Sequence, residues 1–189
     1  MTLDQGNVAA LAFLDLSAAF DSVHHRILFR RLRESYCIGG MALSWITSYL
    51  TDRQQHVNRA GSQSTSQHIN FSVPQGSVLR PLLFVLYTAD LASLIDDHRL
   101  HPHLYADDTQ VYGWCRPTDV NLLQARMSHC IDDVWSLTRS NRLQLNPAKT
   151  EFVWCVPCRR RHHIPTSDVL VCTDQIHPVQ SATCTSMEP

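Results

Sequence analysis

The sequence predicts an α+β domain. Three observations point to it: short apolar runs of strand length, apolar residues recurring at helical spacing, and no strict alternation between the two. The length of 189 residues suits one compact domain and suffices to bury a core. With 17% charged residues, 44% hydrophobic ones, 6 Gly and 9 Pro, the composition excludes disordered, collagenous and low-complexity classes. A formal net charge of −1 gives no basic signature and by itself points away from a nucleic-acid partner.

Residues 9–16 (AALAFLDL) read as a buried strand reaching Leu16, followed by a turn and a helix starting near Asp21. Ile27, Leu28, Leu32 and Tyr36 form the apolar face of that helix, and Gly39-Gly40 ends it. Arg26, Arg30, Arg31 and Arg33 fill its other faces, where a solvated surface explains them as well as a nucleic-acid contact does. Leu43, Trp45, Ile46 and Leu50 mark a second helix that stops near Asp52. Residues 54–58 and 67–71 read as strands of a hairpin around the polar loop 60–66.

Pro74-Gln75-Gly76-Ser77 then breaks the chain, and Ser77 caps an apolar helix over residues 78–94. Residues 103–106 and 109–112 alternate as strands on either side of Asp107-Asp108. Thr118 or Asp119 caps a further helix with Leu122, Leu123, Met127, Ile131, Val134 and Leu137 at core-facing spacing. Residues 150–156 give another strand. Beyond Pro157 the pattern fades: residues 169–172 make one weak strand, and from Pro178 onward the chain looks frayed.

The seven cysteines, Cys37, Cys115, Cys130, Cys155, Cys158, Cys172 and Cys184, are odd in number and irregularly spaced. Asp4, Gln5 and Gly6 replace any basic-then-apolar leader, so thiols in an intracellular compartment, nucleus or cytoplasm and not secreted, are the expectation. The longest apolar stretch, residues 81–87, falls far short of the roughly 20 residues of a membrane span. Cys155-x2-Cys158 followed by His162 or His163 has a zinc-like spacing, but Cys155 falls inside a predicted strand. Arg159-Arg160-Arg161-His162-His163 reads more simply as a solvated loop than as a phosphate contact or import signal.

Carboxylates stand out at two places. Asp15 ends an apolar run, and Asp107-Asp108 sit between two apolar strands. Ionised carboxylates beside an apolar core are costly unless paired or bound to metal, although Asp-Asp between strands is also an ordinary turn. Their flanks decide between these readings. In order along the chain stand Phe13-Leu14-Asp15-Leu16-Ser17-Ala18-Ala19-Phe20-Asp21, Val73-Pro74-Gln75-Gly76-Ser77-Val78-Leu79, Leu104-Tyr105-Ala106-Asp107-Asp108-Thr109, and Asn141-Arg142-Leu143-Gln144-Leu145-Asn146 with Lys149-Thr150-Glu151. The set resembles the palm of reverse transcriptases, most closely the LINE-type, non-long-terminal-repeat retrotransposon branch. Ile27-Leu28, Arg31-Leu32, Ile38-Gly39, Trp45, Ser48-Tyr49-Leu50, Arg53, Gln55 and Val57 resemble the family segment joining its first two motifs. Four ordered motifs spread over residues 10–155 are far more specific than Tyr-Ala-Asp-Asp alone.

The resemblance implies a polymerase palm, an antiparallel sheet backed by helices, at residues 10–157, with a lead-in at 1–9 and a degenerate or poorly ordered segment at 158–189. It implies an RNA-directed DNA polymerase that joins a deoxynucleotide to a primer 3′-hydroxyl, with RNA template, DNA primer and dNTP as partners and no membrane. Two Mg²⁺ ions, for which Mn²⁺ can substitute, would be held by Asp15 and Asp107, with Asp108 as a third or supporting ligand. The carbonyl of Leu16 would complete the second ion's shell, and Lys149 would meet the departing pyrophosphate. Phe20 would exclude a 2′-hydroxyl, and Gln75 and Gly76 would pack near template and incoming nucleotide, where Gly permits close backbone approach.

Departures from the family pattern carry a second reading, a catalytically silent retroelement remnant. Ser72 and Arg80 stand where the family has Gly, and a long cation early in an apolar helix needs solvent or a phosphate. His24 replaces a common acidic residue. Fingers and thumb are expected to be largely missing, so a truncated fragment is expected. A group II intron or telomerase-like branch fits the stretches at residues 17–21 and 25–57 less well.

Overall fold

The computed structural model describes residues 6–156 and the strand backbones Val169–Val171, Asp174–Ile176 and Val179–Ser181. Along the chain run β1 (Val8–Leu14), β2 (Leu16–Ser17), α1 (His25–Glu34), α2 (Gly40–Leu50), β3 (Gln54–Gln55), β4 (Asn58–Arg59), β5 (Ser62–Gln63) and β6 (Gln67–His68). Then follow α3 (Leu79–Thr88), α4 (Asp90–Asp97), β7 (His101–Tyr105), β8 (Asp108–Cys115), α5 (Val120–Ser140), β9 (Gln144–Leu145), β10 (Glu151–Cys155), β11 (Val169–Val171), β12 (Asp174–Ile176) and β13 (Val179–Ser181). Contacts gather these into two compact units. The first draws on Met1–Ser17, Asp90–Ser140 and Gln144–Pro189, the second on Ala18–Ala89 and Asn141–Leu143.

The first unit is built on a sheet of order β13-β10-β1-β8-β7, antiparallel except for the β10–β13 pair. β1 is apolar on both faces, yet its burial alternates: Val8, Ala10, Ala12 and Leu14 are buried, while Leu11 and Phe13 are half-exposed. Alternate strand residues point to opposite faces, and the face bearing Ala10 and Ala12 belongs to the core that α5 closes with Leu123, Met127, Ile131 and Val134. The register sets Ala10 opposite Gly113 and Trp154, and Ala12 opposite Val111 and Phe152. Small residues in the central strand leave room for the Phe152 and Trp154 rings, which meet edge-on with centroids 5.5 Å apart. Gly113 is fixed by the same crowding, because a Cβ there would lie 2.7 Å from Leu100 Cδ2 and 3.1 Å from Leu123 Cδ1. Cys130, also in this core, has its thiol pushed up to about 12 by burial, which leaves it protonated and unreactive at neutral pH.

Three details differ from the expectations. Leu122 is 65% exposed, because it lies one position off the helix face led by Leu123. The β7–β8 register pairs Tyr105 with Asp108, so the hairpin turns through Ala106-Asp107, and Asp108 already opens β8. Ala106 takes the left-handed region there, at φ 54°. Val179–Ser181, where no strand was expected, pairs parallel with β10 through Val153↔Val179; three residues are too few for a period to show in sequence.

In the second unit, Ala19–Asp21 form a single 3-10 turn and α1 begins only at His25. It ends at Glu34, well before Gly39-Gly40, and Cys37 turns the chain at φ 53°. α1 packs on α2 and α3, burying Leu28 and Leu32 on α1 and Leu83, Phe84 and Tyr87 on α3. Arg31 is buried on the same side. Its Nη2 donates to Asn141 Oδ1 at 3.2 Å, and its guanidinium lies over the Tyr87 ring. The polar hairpin is two nested ladders, β3 with β6 and β4 with β5. Its tip, Ala60-Gly61, has φ 47° and 82°, the positive pair that tight hairpins favour. The N-cap of α3 is Val78 rather than Ser77, although Ser77 Oγ still accepts from the Leu79 N–H at 3.1 Å. The helix expected over residues 78–94 is instead two, α3 and α4, interrupted at Ala89.

His25 is buried, and its Nε2–H donates to the Ser72 carbonyl at 2.7 Å. Burial holds its imidazole below the usual range despite that bond. The folded ring therefore takes up its proton at lower pH than the unfolded one, which protonates near pH 6.5, so the unfolded state binds the extra proton first on acidification. The urea midpoint is expected to fall as pH drops below about 6.5. A smaller acid loss in His25→Asn would assign the effect, and an identical pH profile would exclude it.

Candidate functional site

In the first unit β1 ends at Leu14, and the register Leu14↔Thr109 and Phe13↔Gln110 brings its end beside the start of β8. Leu14 and Thr109 lie on the buried face. By the period of two, Phe13, Asp15, Asp108 and Gln110 therefore fall on the other. There a cavity of about 450 Å³ is lined by Asp15, Asp108, Gln110, Lys149 and Glu151, among others.

The backbone holds Lys149 at this place. The Asn146 N–H donates to the Asp15 carbonyl at 2.9 Å, and the Asn146 carbonyl accepts from the Lys149 N–H at 3.1 Å and from Thr150 Oγ1–H at 2.9 Å. β2 and β9 support the link through Leu16↔Leu145, which leaves the Leu16 side chain buried. Lys149 Nζ then stands 3.7 Å from Asp15 Oδ2, with the lysine side chain 68% exposed and the aspartate 28%.

Asp15, Asp108 and Lys149 thus border one cavity, and Asp107 sits half-buried in the adjoining turn. Glu151 is a lining carboxylate that the sequence did not single out. Its signal was the alternation with buried Phe152 and Trp154, which puts it on the Phe13 face. Among the described residues no group of three or more His, Cys, Asp or Glu side chains could hold a metal ion. Three lining carboxylates, Asp15, Asp108 and Glu151, with no lining His or Cys nevertheless suit a hard divalent cation, because Mg²⁺ takes one or two carboxylates and completes its shell with phosphate and water. Cys158, His162 and His163 of the zinc-like spacing lie outside the described residues, and so do Arg159, Arg160 and Arg161.

The other expected site residues belong to the second unit. Gln75 and Gly76 are exposed in the loop before α3, with Gly76 at φ 75°, where a side chain would be strained. Phe20 is half-exposed on its 3-10 turn, with its ring 4.7 Å from that of Phe84. The Arg80 guanidinium lies over the Phe20 ring at 4.7 Å and pairs with Asp21 Oδ1 at 3.2 Å; Ser72 Oγ donates to the same oxygen at 3.3 Å. Both residues that stand in place of the family's glycines converge on one carboxylate. Arg80 finds neither bulk solvent nor phosphate but a neighbouring ring and Asp21, whose carboxylate accepts from both Arg80 and Ser72.

A family model described as reverse transcriptase (RNA-dependent DNA polymerase) matches residues 2–179. The chain is 32% identical over 114 residues to "RNA-directed DNA polymerase from mobile element jockey" of Drosophila melanogaster, a match covering 58% of this chain and 12% of that protein. It is 36% identical over 101 residues to "Probable RNA-directed DNA polymerase from transposon BS" of the same species, covering 51% and 11%. The chain therefore spans about a tenth of the length of these curated relatives. Among solved structures, a telomerase from Candida albicans in complex with a fragment of telomeric RNA superposes with a TM-score of 0.62 at 12% identity, over 89% of this chain and 29% of that one. An apo telomerase from Candida tropicalis gives 0.60 at 14% identity, over 78% and 31%. These structures share the mixed helical and antiparallel-sheet fold of a palm. Among the described residues no helix is long and apolar enough to cross a membrane.

Proposed function

The chain belongs to the reverse transcriptase (RNA-dependent DNA polymerase) family, and from that membership we propose that it performs RNA-directed DNA polymerisation of the LINE type. A deoxynucleotide is joined to the 3′-hydroxyl of a DNA primer on an RNA template. The observation that carries this reading is the cavity bordered by Asp15, Asp108 and Lys149, built from residues more than ninety positions apart by the pairing of β1 with β8.

Asp15 and Asp107 are the principal carboxylates for two Mg²⁺ ions, with Mn²⁺ able to substitute. Asp108 adds a third or supporting carboxylate, and the Leu16 carbonyl a further oxygen. When bound, the cations supply charge neutralisation at the phosphoryl oxygens and ease loss of the primer hydroxyl's proton. Lys149 turns its ammonium group from Asp15 to the negative charge that gathers on pyrophosphate as it leaves. Phe20 rejects a 2′-hydroxyl by its bulk, and Gln75 and Gly76 bring exposed backbone and amide against template and nucleotide.

One observation favours the silent-remnant reading: Arg80 covers part of the Phe20 ring. Primer extension decides between the two. With Mg²⁺ and an RNA template the full chain is expected to extend a DNA primer, and Asp107→Ala to reduce extension by about 10³-fold or more. Equal incorporation by both proteins would end the catalytic reading.

A further inference from the structure

The second unit contains a groove of about 730 Å³, within the range of about 300–1,000 Å³ typical of ligand sites. One wall is α1. Arg26, Phe29, Arg30 and Arg33 stand at i, i+3, i+4 and i+7, a single helix face. His68 and Asn70 of the returning strand segment also line the groove. All three arginines are exposed, and none enters an ion pair among the described residues. Asp52 is the single carboxylate lining the groove. His24 and His25 also line it, but burial holds both imidazoles below the usual range, so the positive charge at neutral pH comes from the arginines.

We propose that this groove is a track for single-stranded RNA, with Arg26, Arg30 and Arg33 on successive phosphates and Phe29 as a stacking surface for a base. Seven residues of helix span about 10 Å, enough for the arginines to meet neighbouring phosphates of one strand. A cationic groove with an aromatic set among its charges is how proteins hold unpaired strands. The Phe29 ring, half-exposed beside the His25 imidazole at 6.1 Å between centroids, offers a face on which a base can stack, which charge pairing with an acidic peptide does not use. The phosphodiester chemistry stands on the groove alone, and the choice of RNA over DNA rests on the polymerase reading above.

The test is fluorescence anisotropy of a short 5′-labelled oligouridylate with the full chain, titrated at several salt concentrations. The wild-type chain is expected to bind it, and R26Q/R30Q/R33Q to bind about tenfold or more weakly, with the slope of log K against log salt shallower by about two. Phe29→Ala is expected to weaken binding about fivefold or more with the slope unchanged. Far-UV circular dichroism checks that each variant keeps its fold. An unchanged affinity and slope in the triple variant, or no binding by the wild-type chain, would overturn the proposal. A deoxythymidylate of equal length bound more than about tenfold tighter than the RNA would overturn the assignment to RNA. A wild-type chain that binds RNA through these arginines yet extends no primer would remove the polymerase reading and leave the groove standing.

Discussion

Primer extension by the full chain is expected to fall by about 10³-fold or more in Asp15→Asn, with the fold left intact. The substitution keeps the size of the side chain and removes only its charge. The backbone of Asp15 holds its place independently, through its carbonyl's bond to the Asn146 N–H and through β2 pairing with β9 immediately after it. The pair that is lost, Asp15 with the largely exposed Lys149, contributes at most about 1 kcal/mol to stability. Extension and stability therefore separate. Steady-state extension measured beside a urea unfolding curve reads both, and an Asp15→Asn chain extending within about tenfold of wild type would remove Asp15 from the site.

Trp154→Ala has the opposite profile and is expected to destabilise the first unit by about 3–5 kcal/mol. Trp154 has no exposed surface, faces Ala10 across the β1–β10 ladder and packs edge-on against Phe152. A loss of that size is a large part of the roughly 5–15 kcal/mol by which folded proteins are stable. Trp154→Phe is expected to cost much less, because the indole N–H is buried without a partner and the smaller ring removes that unsatisfied donor. Chemical unfolding followed by circular dichroism checks both, and an alanine variant within about 1 kcal/mol of wild type would show that the cavity collapses at little cost.

Local periodicity shows plainly where a single face is apolar. Leu123, Met127, Ile131 and Val134 mark α5 because three or four residues return each to the core. β1 hides its inward face, since VAALAFL is apolar throughout and only its partners decide which residues are covered. The hairpin turn was misplaced by one residue because two acids look more turn-like than Ala-Asp, yet pairing puts Asp108 into β8 and an alanine at positive φ. The acids themselves stand out against their apolar flanks, but which of them share a cavity depends on the register of strands far apart in sequence. Arg80 is the clearest case of a partner beyond local reach: its charge shows in the sequence, but the carboxylate that answers it lies 59 positions earlier.

The place of β1 in the middle of its sheet has a consequence for how the chain is made. β1 leaves the ribosome before both of its neighbours: β8 follows roughly a hundred residues later and β10 later still, so both of its edges wait. The β7–β8 hairpin closes on its own, over a two-residue turn, and is the only pairing in the sheet with a small loop-closure cost. Folding of the first unit is therefore slow for its size, and an apolar, unpaired β1 stands open to stray association until β8 and β10 have been made.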